Sequence, residues 1–233
     1  MDQYTKALLL WKDRGIVTGA DLAGALENFR GDFVFHCLKM EGDDALTPEL
    51  VRQVLEGSGA RGSTGGVPSL SDLQGAADAW ALLPEAFDSR RPFSGQLLAE
   101  IHARLTRQSP APFSDDAVQT LAQLEELLGH VRRQNTLVAA AYLLAQLEKH
   151  PPFARANGSA ARFITNYFLV LHDHPPTIFY EEDRRDYRSV IDVSDGQPNL
   201  APLVRFLKEE LAKTWDEDIR RDEEYDTVWL EGP

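Results

Sequence analysis

The stretch His150-Pro-Pro-Phe-Ala-Arg-Ala-Asn-Gly-Ser-Ala-Ala-Arg162 places a histidine, two arginines and an Asn-Gly turn directly before an apolar run that opens at Phe163. A loop that feeds a helix in this way can hold an anion. Free amides at a helix start carry part of the helix dipole, and Gly158 lets a phosphate come close without a side chain in the way. Arg162, one turn further in, can reach a phosphate oxygen. The plainer reading of the same residues is a loop with a common Asn-Gly turn.

Other chemistry is poorly served. Six histidines and 37 acidic residues invite a metal reading, but His172 and His174 would face apart on a helix and could converge only in a loop. Followed by Pro175-Pro176, they read as a helix end with exposed polar caps. No HExxH and no paired CxxC occurs. The one cysteine, Cys37, can form no intramolecular disulfide, which makes a cytoplasmic address the default. A formal net charge of -13 repels nucleic acids and anionic membranes. No apolar run approaches the ~20 residues of a membrane span, and Lys12 and Asp13 interrupt the amino-terminal run before it reaches signal-peptide length. A soluble protein that binds neither nucleic acid nor membrane is expected. A nucleotide or other phosphorylated small molecule needs only local amides and cations, so it remains compatible with the charge.

The elements that position the cradle are helical. Apolar residues recur at helical spacing at Leu97, Leu98, Ile101 and Leu105, and at Val118, Leu121, Leu124, Leu127 and Leu128. Leu137–Leu147 and Leu203–Leu211 follow the same pattern, and Phe163–Leu171 is apolar nearly all round, the mark of a central helix. Thr47-Pro48-Glu49 starts a helix, and Ser69 to Asp72 caps another running toward Leu83. The Gly/Ser-rich stretch Gly57–Ser69 reads as a flexible loop. Only Pro176–Tyr180 alternates like a strand, so the expected class is all-α with at most a short β-hairpin. Asp216–Glu224 reads as a solvated helix face or a frayed end.

With these residues in place, His150–Arg162 resembles the signature of the Fic/DOC family, His-Pro-Phe-x-Asp/Glu-Gly/Ala-Asn-Gly-Arg-x-x-Arg: Phe153, Ala156, Asn157, Gly158 and Arg162 match in register. Leu98-Ala-Glu-Ile-His102 upstream and His174–Arg184, Tyr187 and Leu200–Leu207 downstream are similar to the family too. The resemblance covers the chain from about Ser69 onward and implies a Fic-like helical bundle. It divides the chain into an amino-terminal helical region (1–68), a core (69–215) and a charged tail (216–233). Family members transfer AMP from ATP to hydroxyls of target proteins, which implies ATP as donor, Mg2+ as cofactor and a target protein as partner. Phe35–Gly42 resembles the inhibitory motif of members that carry their own brake. Glu41, followed by Gly42, then corresponds to the glutamate that pairs with the second signature arginine, here Arg162, and competes with the nucleotide.

The match departs from the family at three places. The position of the proton-accepting histidine holds Pro151, which leaves His150, one residue earlier, as the candidate catalytic base. The acidic residue that holds magnesium is Arg155, a cation that repels a metal and attracts phosphate, so Mg2+ is doubtful. Ser159 replaces the first arginine. Arg155, Asn157, Gly158, Ser159 and Arg162 make up the implied phosphate site, with no metal ligand. A base, a metal ligand and a phosphate arginine serve one step, so their joint alteration implies impaired or altered transfer, or an inactive regulator that binds a nucleotide or a protein partner. The segment Leu105–Ala117 is also short for the family's hairpin flap, and Pro110 and Pro112 remove backbone donors from it.

Overall fold

The computed structural model describes residues 1–42, 45–57, 70–192 and 199–230, and every regular element among them is helical. In chain order these are α1 (Gln3–Asp13), α2 (Gly19–Ala25), α3 (Glu27–Met40), α4 (Pro48–Leu55), α5 (Leu70–Asp88), α6 (Gly95–Thr106), α7 (Asp115–Leu128), α8 (Thr136–Lys149), α9 (Asn157–Leu171), α10 (Arg184–Asp192), α11 (Ala201–Thr214) and α12 (Asp216–Leu230). The Gly/Ser-rich stretch beyond Gly57 and the cap expected at Ser69 lie outside the described residues. Thr47 does cap α4, accepting from the Leu50 amide, with Pro48 in the first turn.

Helix α9 is the axis of the fold. Every residue from Ser159 to Val170 is buried, because α3, α5, α6 and α8 all pack around it. Helix α8 carries three small buried residues in succession, Ala139, Ala140 and Ala141, which let neighbouring helices pack close to its backbone. The stripe on α7 differs from the expected one. Ala117, Leu121, Leu124 and Leu128 are buried, at spacings of four, three and four, while Val118 and Leu127 fall off that face and are exposed.

Pro175–Tyr180 forms no strand. Its amides are satisfied by side chains from neighbouring helices: Thr177 donates to Asn166 Oδ1 (2.7 Å), Ile178 to Thr214 Oγ1 (3.0 Å) and Tyr180 to Glu210 Oε2 (2.9 Å), and Trp215 Nε1 donates to the Pro176 carbonyl. Donors already taken in this way have nothing left for a ladder. The charged segment after Trp215 is a helix, and among residues 216–224 Ile219 alone is buried. It lies along α1, where Trp11 meets Trp215 edge-on at 5.5 Å and Arg14 pairs with Asp218.

His174 corrects the expectation of an exposed cap. It is 5% exposed, with Nδ1 on the Pro175 carbonyl and Nε2 taking the Tyr4 hydroxyl. Burial pushes the imidazole down to about 4. An unfolded histidine titrates near 6.5, so the unfolded chain takes up the proton first. The contribution of neutral His174 is complete above that pH and is lost as pH falls toward 4, a change of about 3 kcal/mol. Thermal unfolding should show the melting temperature of the wild type dropping across this window, with a flatter profile for His174→Gln; parallel profiles would assign the drop to another group.

Candidate anion site at the start of helix α9

Two helix ends meet at the site. Helix α3 stops at Glu41 because Gly42 takes φ +97°, a conformation that only glycine adopts without strain. Glu41 therefore stands at the end of the helix with its side chain projecting toward α9. Its Oε1 accepts from Arg162 Nη2 at 2.5 Å, and the same nitrogen donates to the Cys37 carbonyl at 3.0 Å. Arg162 is 2% exposed. Burial opposes its charge, but the anionic groups around it outweigh that cost and keep the guanidinium protonated.

Gly158 completes the contact. A methyl group there would lie 2.6 Å from Glu41 Oε1 and 3.0 Å from Arg162 Nη1. The carboxylate thus fills the space that the missing side chain leaves at the positive end of α9, where a phosphate would be expected to sit.

The loop before α9 is held from several sides. Asn157 Oδ1 accepts from the Phe153 amide (2.8 Å) and its Nδ2 donates to the Phe153 carbonyl (2.7 Å), so both ends of this amide fasten the loop. Ser114 donates its amide to the Pro152 carbonyl and its hydroxyl to that of Pro151. Ala156 takes φ +55° to turn the chain into α9. His102, on the buried stripe of α6, stacks on Phe153 at 3.7 Å between ring centroids, and its Nε2 donates to the Arg155 carbonyl at 3.1 Å. Burial, aided by the nearby Arg155 cation, lowers the His102 pKa and favours the neutral ring. The sequence gives a clue to this histidine, since it shares a helical stripe with Leu98, Ile101 and Leu105, but none to its role.

The predicted residues divide into two groups. Glu41, Gly158 and Arg162 converge on one cavity of about 360 Å3, lined also by Glu148, Tyr187 and α10. Tyr187 donates to Glu148 Oε1 at 2.6 Å, and burial, with the adjacent Glu148 charge, raises its pKa. His150, Arg155 and Ser159 are not brought into that cavity. His150 ends α8, its amide on the Gln146 carbonyl, and its half-buried ring makes no hydrogen bond among the described residues. Arg155 is exposed and turns to the Thr106 carbonyl (3.4 Å) and Asp72 (3.9 Å). Ser159 is buried, its hydroxyl interacting with the Cys37 thiol, whose pKa burial raises. No cluster of three or more His, Cys, Asp or Glu suited to a metal occurs among the described residues.

Comparison with known proteins places the fold. Residues 92–169 match the model of the Fic/DOC family. Among solved structures, a Fic domain-containing signalling protein from Bacteroides thetaiotaomicron superposes with a TM-score of 0.74 at 18% identity, covering 94% of this chain and 96% of that one. Fic-1 from C. elegans gives 0.75 at 18% identity, over 95% and 73% of the two chains. A Fic family protein from Desulfovibrio desulfuricans gives 0.70 at 20% identity, over 94% and 74%. No curated protein matches. The fold is that of Fic-domain proteins. More particularly, the stretch that matches the Fic/DOC family model, residues 92–169, runs from the turn before α6 into α9.

The strained turn at residue 156 can be tested. A left-handed conformation costs a non-glycine residue about 1 kcal/mol, so Ala156→Gly should raise stability by up to about that amount. Urea unfolding would register it as a higher midpoint with an unchanged slope; a lower midpoint would mean that the alanine methyl makes a contact worth more than the strain.

Proposed function

We propose that this chain is a Fic-like protein related to the protein adenylyltransferases, with Glu41 as a built-in competitor for the phosphate of its ligand. One observation carries the reading: the Glu41 carboxylate rests on Gly158 and Arg162, the glycine and arginine that the family resemblance assigns to phosphate. An anion held there by a buried guanidinium and a helix dipole must leave before another can enter. ATP is the proposed donor, a hydroxyl of a target protein the acceptor, and the cytoplasm the place of action. AMP transfer itself is impaired or altered. Pro151 stands in place of the base, Arg155 cannot hold a metal, and Ser159 supplies no positive charge.

The second reading is an inactive regulator that binds a nucleotide or a protein partner at the same cradle. It is favoured by the outward course of Arg155 and by the position of His150 at the end of α8, outside the cavity lining. Incubating the protein and Glu41→Gly with isotopically labelled ATP, with and without magnesium, and measuring intact mass separates the two. A 5′-AMP adduct that vanishes in Glu41→Gly/His150→Ala supports transfer. Calorimetric nucleotide binding without an adduct, weakened at least tenfold by Arg162→Lys in the same background, supports the regulator. Absence of both would sink the phosphate-site reading.

Glu41 also has a stability consequence. Replacing it with glutamine leaves a buried guanidinium with a weaker partner. Because the carboxylate is 38% exposed, the loss should be modest, about 1–2 kcal/mol. The melting temperature of Glu41→Gln should fall by a few degrees and recover on addition of inorganic phosphate more than that of the wild type does. Equal phosphate effects on the two proteins would show that the carboxylate and phosphate do not compete.

A further inference from the structure

The cavity beside Glu41 is lined by three arginines, Arg162, Arg184 and Arg188, where one phosphate would need one or two. Its far wall is α10, where Arg184, Tyr187, Arg188 and Ile191 lie at spacings of three, one and three and so share a face. Arg184 Nη2 donates to the Lys39 carbonyl, but its Nε is buried with no partner. Arg162 Nε, on the opposite wall, is likewise buried and unpartnered. Buried donors without acceptors are costly and uncommon, so each of these two cavity-lining guanidinium groups keeps one donor in reserve behind the face it presents. Arg188 is exposed at the rim and makes no ion pair or hydrogen bond among the described residues. Of the three carboxylates in the lining, Glu41 holds Arg162, Glu148 accepts from the Tyr187 hydroxyl, and Asp192 lies one turn beyond Arg188 on α10.

We infer that Arg184 and Arg188 form a second anion subsite, so that the cavity takes a small molecule with two separated phosphate groups, one at Gly158 and Arg162 and one against α10. The inference rests on the phosphate-site reading above and specifies its ligand class. Once Glu41 swings away, three arginines face two carboxylates, and the cavity favours a ligand whose charge is divided between its ends. No metal is required to bridge the groups.

Calorimetry on folded Glu41→Gly in the presence of EDTA, with adenosine 5′-monophosphate and adenosine 3′,5′-bisphosphate as probes, tests this. The bisphosphate should bind at least tenfold tighter than the monophosphate. Adding Arg188→Ala should remove that preference while leaving monophosphate affinity within about twofold, and Arg188→Lys should restore part of it. Equal affinity for the two probes, or a preference that survives Arg188→Ala, would overturn the second subsite alone. Failure of both probes to bind would overturn it together with the phosphate-site reading.

Discussion

The buried guanidinium of Arg162 is the constraint around which the site is arranged. Once α9 lies at the centre of the fold, a residue one turn into it is inside the protein, and a charge there must meet an anion and hydrogen-bond acceptors or be too costly to keep. The end of α3 supplies both. The Cys37 carbonyl is one of the orphan acceptors of that helix end, and Glu41 stands immediately after its last turn. The negative end of one helix and the positive end of another are thereby joined through a single side chain. Phe29 and Phe33 seat α3 against Trp80 and Phe163, and the contact with Arg162 fixes where its last turn ends.

A second consequence is the rigidity of the loop before α9. Asn157, Ser114 and His102 reach it from three elements, and together they take up the amide of Phe153 and the carbonyls of Pro151, Pro152, Phe153 and Arg155. A loop tied down along its backbone holds its amides in place without a ligand, which lowers the ordering cost of binding one. The same ties restrict His150. With Pro151 and Pro152 fixed by Ser114, the bulge that would carry its imidazole toward Gly158 requires two hydrogen bonds to break.

Much of this was legible in the residues. The helical class and the central place of Phe163–Leu171 follow from periodicity, and the family resemblance singles out Glu41 and Arg162 while leaving open whether they meet. What escaped depended on partners distant in sequence. Ser159 looks like a cradle residue by position, but α3 covers it. His174 looks like a cap until Tyr4, 170 residues away, buries it. Pro176–Tyr180 alternates like a strand, yet its amides are answered by Asn166, Thr214 and Glu210. Val118 and Leu127 fit a loose helical stripe, and only the direction from which the core approaches α7 decides that Ala117 faces in instead.

The end of α3 does not depend on Glu41 alone. Arg162 also holds the Cys37 carbonyl, and Arg184 holds that of Lys39. When the carboxylate swings aside, both grips on the backbone persist, so the helix has no reason to shift or unwind. Opening the cradle is then a matter of side-chain rotation, an event of nanoseconds rather than of milliseconds. Its occupancy would be set by the relative affinity of two anions for one arginine, not by the speed of a conformational change.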